Sequence, residues 1–194
     1  HTSKCTKLVL VYRYFMDLSK LFMLGAAGYV ISGLYDVAIL RGKTLLQRLA
    51  LPGFFITAIP YPFLFIGHVT PLPPMLSWMI LLCISMLAAL LIYSVFIEIP
   101  LSGSANGALF RSGTYRLSRH PGFLWYTGIN LLVSLYFWEI PILLLCTGLT
   151  LCNLLLITVE DLFLFPKIFP DYKEYRKETP FLFSPYHGSH RRKS

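Results

Sequence analysis

Apolar residues fall in five long blocks, at 21–40, 49–68, 75–97, 122–138 and 141–159, and the polar residues collect in the gaps between them. Each block approaches the roughly 20 helical residues needed to cross a hydrocarbon core about 30 Å thick. A chain in hydrocarbon must satisfy its own backbone hydrogen bonds, so each block predicts a helix. Pro52, Pro60 and Pro62 interrupt the second block and predict a kinked helix whose freed carbonyls are satisfied by its neighbours. The stretch VTPLPP at 69–74 predicts a tight turn, and MLSWMILLCISMLAALLIYSVF an unbroken third span. Glu139-Ile140-Pro141 leaves room only for an antiparallel hairpin, so the start of the fourth span and the end of the fifth meet at one face.

Composition agrees with this pattern. Of 194 residues 56% are hydrophobic and 13% charged, too apolar for a domain whose surface faces water. All 17 Lys and Arg lie in 4–20, 41–48, 111–119 and 167–193, outside the spans. The positive-inside rule puts 41–48, 111–119 and the C-terminus in the cytoplasm and the N-terminus outside. Residues 1–20 then carry Lys4, Lys7, Arg13 and Lys20 on the opposite side, and the mixed stretch Leu8 to Leu18 predicts a segment lying in the headgroup layer. The run Leu21 to Leu40 exceeds the 7 to 15 residues of a signal-peptide core. The net charge of +8 is explained by orientation and anionic headgroups, so nucleic-acid binding is not expected. Cys5, Cys83, Cys146 and Cys152 have no ligand spacing; they read as small hydrophobes, and no metal is expected.

Beyond the third span the character changes. LSGSANGALFRSG at 101–113 is small, polar and Gly-rich and predicts an irregular cytoplasmic loop; its GSANG does not follow a strand, so it is no dinucleotide fingerprint. Pro121 suits the first turn of the fourth helix, which makes His120 its cap. After the fifth span, DLFLFPKIFPDYKEYRKETPFLF predicts an interfacial helix interrupted at Pro166 and Pro170, with Tyr172 and Tyr175 on one face. Beyond Pro185 a polar tail is expected to be disordered. The chain thus divides into a frame (1–100), a site-bearing region (101–185) and a tail (186–194), with no internal repeat.

The candidate chemistry lies in GTYRLSRHPGF at 113–123 and the pair Glu160-Asp161. Arg111, Arg116 and Arg119 can be orientation charges, His120 a helix cap, and Tyr172 and Tyr175 interfacial anchors. Glu160 and Asp161 are harder to explain blandly. Acids at a helix C-terminus oppose its dipole, and charge near hydrocarbon needs a partner. Arg119 or His120 across the hairpin is the natural one.

These motifs, followed by DYKEYRKETPFLFSP, resemble the integral-membrane methyltransferase superfamily of isoprenylcysteine carboxyl methyltransferase and the phospholipid N-methyltransferases. The family pattern is a G-x-Y-x-x-x-R-H-P-x-Y turn, a hairpin, a Glu-Glu pair and an F-G-x-x-Y-x-x-Y helix leading to a Pro-containing strand, and the likeness covers about the last 90 residues. It implies S-adenosylmethionine as cofactor, held by Gly107, Ala108, Leu109, Phe110, Tyr115, His120, Pro121, Gly122, Phe123 and Glu160. Arg119 and His120 are the candidate catalytic residues. A carboxylate and aromatic faces suit the cationic parts of that ligand, and free N–H groups at a helix start suit its carboxylate. Methyl transfer from a sulfonium asks mainly for alignment and exclusion of water, so no triad is expected. Four positions depart from the pattern: Phe123 replaces Tyr, Asp161 replaces the second Glu, Ile168-Phe169-Pro170 stands where F-G would, and Leu156 replaces an Arg thought to meet the carboxylate of prenylcysteine substrates.

The expectation is therefore an all-α, polytopic membrane helix bundle of about five transmembrane helices, with a cytoplasmic-face cofactor pocket formed by its C-terminal half and a lipid or lipophilic acceptor. Two alternatives stand beside it. A sterol-reductase-like enzyme using NADPH would have a turn resembling R-H-x-N-Y, where this chain has Gly122 in place of Asn. A non-enzymatic scaffold would use the turn and Glu160 only as an ion pair. Absent inverted repeats and midplane charges, transport is not expected.

Overall fold

The computed structural model describes residues 2–98 and 109–182, with side chains from Asp17 onward. Among the described residues every regular element is helical. Helix α1 (Thr2–Leu40) is unbroken over 39 residues, a length of about 58 Å at 1.5 Å per residue. Only Asp17–Leu40 is apolar enough to cross a bilayer. The helix passes Lys20 without a break, so the basic N-terminal stretch is continuous with the first span.

The second block is broken around Pro52 and before Pro60, into α2 (Thr44–Ala50), α3 (Gly53–Ile56) and α4 (Pro60–Gly67), whereas Pro62 lies inside α4 and does not interrupt it. Pro60 opens α4 and is fully buried. Helix α5 (Pro74–Ile92) ends in a π turn, Tyr93–Glu98. Then come α6 (Pro121–Phe137) and α7 (Ile140–Val159), with Trp138 in the left-handed conformation that ends α6. A second π turn, Glu160–Leu164, leads into α8 (Phe165–Ile168) and α9 (Tyr172–Glu178). Pro166 sits in the first turn of α8 and does not break the chain's helical path; Pro170 does.

Four stretches are long and apolar enough to span a membrane: Asp17–Leu40, Thr44–Gly67, Pro74–Glu98 and Ile140–Ile168. Helix α6, the remaining block, has 17 residues. The outer surface is as apolar as the interior, with Met23, Val30, Ile66, Met75, Trp78 and Leu155 largely exposed, a surface suited to hydrocarbon.

Close approaches fix the directions. A Cβ on Gly25 would stand 2.6 Å from Leu149, and one on Gly33 3.1 Å from Leu156, so α1 and α7 run parallel. Gly128 abuts Leu87 and Gly122 abuts Val95, so α5 and α6 run antiparallel. The ends of α1, α5 and α7 and the start of α6 consequently gather at one end of the bundle. The core behind them includes Tyr29, Leu64, Tyr126, Val133, Phe137 and Leu149. Within it Asn130 accepts a hydrogen bond from the Tyr61 hydroxyl (2.8 Å) and donates to Thr150 (2.9 Å).

Candidate functional site

The gathered end of the bundle holds a dense set of polar side chains, and both π turns deliver acids to it. A π turn shifts the helical register by one residue and is often found at functional sites. The first turn ends at Glu98; the second opens with Glu160 and Asp161.

Asp161 is the best partnered. Its side chain is 3% exposed and accepts Arg119 Nη1 at 2.7 Å and the Tyr172 hydroxyl at 2.5 Å. Arg176 Nε stands 3.7 Å and His120 Nε2 3.6 Å away. The Arg119 guanidinium also lies over the Phe181 ring at 5.5 Å. Arg119 is therefore no headgroup charge: its side chain is 8% exposed and committed to an ion pair.

His120 stands at the cap position of α6, but its imidazole makes no cap hydrogen bond. The ring stacks on Phe165 (centroids 5.9 Å, planes 14° apart) and meets Phe181 edge-on at 5.1 Å. Ser118 positions this turn: its hydroxyl donates to the Phe181 carbonyl and accepts the His120 N–H, while the Arg119 N–H donates to the Pro180 carbonyl. His120 Nδ1 lies 4.0 Å from Glu160 Oε2. Burial pulls the His120 pKa below its usual value, Asp161 pulls it upward, and Arg119 adds to the lowering. The neutral imidazole is the favoured form.

The tyrosines act as donors to this framework. Tyr172 reaches Asp161, and Tyr175 donates to the Tyr115 carbonyl at 2.6 Å. Both are buried in the site and are not interfacial anchors. Tyr115 packs on Phe110 at 5.7 Å and donates to the Ser94 carbonyl at 3.3 Å. Burial raises the pKa of Tyr115 and Tyr172 and pushes Tyr175 up to about 12. Arg111 donates to the Asp171 carbonyl at 3.0 Å and lies over the Tyr175 ring.

Glu98 pins the other side. Its carboxylate accepts the Thr114 N–H at 2.8 Å and the Thr114 hydroxyl. Gly113 has a φ of +59°, and a Cβ there would collide with Glu98.

Of the sequence-predicted residues, Tyr115, His120 and Glu160 come together. Leu109 and Phe110 are half-buried beside them, and Pro121 and Phe123 are buried in the first turn of α6. A Cβ on Gly122 would stand 3.0 Å from Val95, so this glycine is used for helix approach. Gly107, Ala108 and most of the predicted loop, like the polar tail, lie outside the described residues.

Sequence reasoning passed over Glu98, Ser118, Phe165, Phe181 and Asp36. Asp36, in α1, lies beside Glu160. A lone acid inside an apolar block was the available signal. With Asp36 and Glu98 present, the site is not confined to residues 101–185.

Among the described residues no group of three His, Cys, Asp or Glu side chains has metal-holding geometry. Two cavities lie elsewhere: one of about 190 Å³ between α6 and α7, lined by Thr127, Asn130, Ser134 and Thr150 among others, and one beside Arg41–Leu46. The cluster offers two carboxyls without a Lys or Arg partner among the described residues, and the rings of Phe110, Tyr115 and Phe165. Comparison with known proteins returns no matching family model, no matching curated protein and no matching solved structure.

Proposed function

We propose that the protein is an S-adenosylmethionine-dependent methyltransferase embedded in a membrane by about five helices, α6 included, with its site at the cytoplasmic face and a lipid or lipophilic acceptor. The observation that carries this is the 4.0 Å approach of His120 to Glu160 across the hairpin. It joins the RHP turn to the acidic pair, the two halves of the motif resemblance. When bound, the cofactor supplies a methyl group already activated on a sulfonium.

The chain's own residues then have simple tasks. Glu160 attracts the cationic end of the cofactor. Phe110, Tyr115 and Phe123 exclude water, which strengthens every charge interaction in the site. Asp161 and Tyr172 hold Arg119, and with it the backbone of the turn, in place. Arg119 is thereby a positioning residue, while His120, kept neutral by burial, has a ring nitrogen able to take a proton. A purely structural role accounts for Asp161, whose partners saturate it. It leaves Glu160 and Asp36 side by side with no Lys or Arg partner among the described residues.

The test is mass spectrometry of a membrane extract incubated with isotopically labelled methyl donor and the protein. A labelled lipid-soluble product that disappears with Glu160→Gln is expected. Absence of label from every extracted component, with folded wild-type protein, overturns the proposal.

A further inference from the structure

The infrequent feature of this site is an acid contributed by the first helix, far from the motif-bearing half. Gly33 lets α1 approach α7, since a Cβ there would stand 3.1 Å from Leu156 Cδ1. One turn further along both helices, Asp36 lies beside Glu160. Leu156 supplies no charge to this junction.

Charge accounting shows what the junction lacks. The nearest buried cation, Arg119, is taken by Asp161 at 2.7 Å and by the Phe181 ring. Among the described residues neither Asp36 nor Glu160 has a Lys or Arg within ion-pair reach; Glu160 meets only His120, at 4.0 Å. His120 is 7% exposed, its Nε2 is buried without a hydrogen-bond partner, and its Nδ1 faces Glu160. Burial and the neighbouring Arg119 disfavour its cationic form. Acids inside apolar helices are ordinarily matched by an opposite charge, and here none of the described side chains provides it.

We propose that Asp36 is a ligand-binding residue, forming with Glu160 and His120 a seat for a primary ammonium group. Two carboxyls and a neutral imidazole nitrogen offer three acceptor groups to the three N–H donors of such a group. Within the methyltransferase proposal, on which this assignment of ligand rests, the ammonium belongs either to the amino-acid end of the methyl donor or to an amine on the acceptor.

The test uses full-length protein in lipid nanodiscs, as wild type and as Asp36→Asn, which removes the charge and keeps the shape. Loss of one charge-assisted hydrogen bond of about 1.5–3 kcal/mol corresponds to about tenfold or more in affinity. If the seat takes the donor's ammonium, Asp36→Asn weakens S-adenosylhomocysteine binding by about that factor and leaves a deaminated analogue unaffected. If it takes the acceptor's amine, S-adenosylhomocysteine binding is unchanged and methyl transfer to phosphatidylethanolamine in the nanodisc falls about tenfold. A donor-independent arm compares stabilisation by octylammonium chloride with that by octanol. If wild type ignores S-adenosylhomocysteine yet prefers octylammonium through Asp36, the methyltransferase proposal fails and the seat stands. Asp36→Asn behaving as wild type toward every probe overturns the seat. Should that variant not fold, the wild-type comparisons decide, and equal response to the amino and deaminated ligands and to octylammonium and octanol overturns it.

Discussion

Replacing Arg119 by Met separates a buried ion pair from a headgroup charge. The substitution removes the guanidinium from Asp161, whose side chain is 3% exposed, and leaves that carboxylate with the Tyr172 hydroxyl and the more distant His120 Nε2 at 3.6 Å and Arg176 at 3.7 Å. Breaking one side of a buried pair costs about 3–5 kcal/mol. Arg176 is 39% exposed and able to swing inward, so the lower end, about 3 kcal/mol, is expected. Asp161→Leu strands Arg119 in the same way and loses a similar amount. The double variant Arg119→Met/Asp161→Leu strands neither charge and leaves chiefly the Tyr172 hydroxyl unpaired, a loss of about 1–3 kcal/mol. The double variant is therefore less destabilised than the sum of the singles by about 3–5 kcal/mol. Reversible unfolding in mixed micelles by titration with dodecyl sulfate, followed by circular dichroism, measures all three. Single losses below about 1 kcal/mol that simply add would show that Arg119 is solvated and that the turn is not tied to the end of α7 by this pair.

Other outcomes follow from the same contacts. Gly113→Ala is expected to destabilise by well over the roughly 1–2 kcal/mol of a left-handed residue, because its Cβ meets the Glu98 carboxylate; Gly42→Ala, at φ +62° with nothing nearby, shows only the conformational part in the same unfolding assay. His120 has a lowered pKa in the folded protein, so the unfolded chain binds more protons as pH falls from about 6.5. Stability is thus present above that pH and declines below it, by at most about 1.4 kcal/mol per pH unit, until the folded-state pKa is passed. His120→Gln is expected to flatten this segment of the stability–pH curve, and an unchanged curve would contradict it. Asn130→Leu removes the bridge between Tyr61 and Thr150 and is expected to lose about 1–2 kcal/mol, the range of hydrogen bonds between helices in a membrane.

The helical blocks were legible because hydrocarbon leaves the backbone few choices, and the breaks around Pro52 and Pro60 followed from a missing donor and a fixed φ. The approach of the RHP turn to Glu160-Asp161 was legible too, since a two-residue connection forces the hairpin. Which acid pairs with Arg119 was not, because adjacent positions on a helix point about 100° apart and the π turn sets the rotation. Tyr172 and Tyr175 were correctly placed on one face, but whether that face meets lipid or protein depends on where α9 docks. Asp36 carried a visible signal, a charge inside an apolar block, yet its partner lies more than 120 residues away and is chosen by the close approach at Gly33. His120 looked like a cap because of Pro121; the flanking Phe165 and Phe181, brought in by chain far downstream, turn its ring toward the acids.

Equilibrium titration of the purified protein in nanodiscs with S-adenosylhomocysteine and, separately, with NADPH examines the assigned chemistry most directly. Saturable one-to-one binding of S-adenosylhomocysteine, weakened by Glu160→Gln and His120→Ala while both variants remain folded, is the expected result. Binding of NADPH with no response to S-adenosylhomocysteine would contradict methyl transfer and assign the site to reduction.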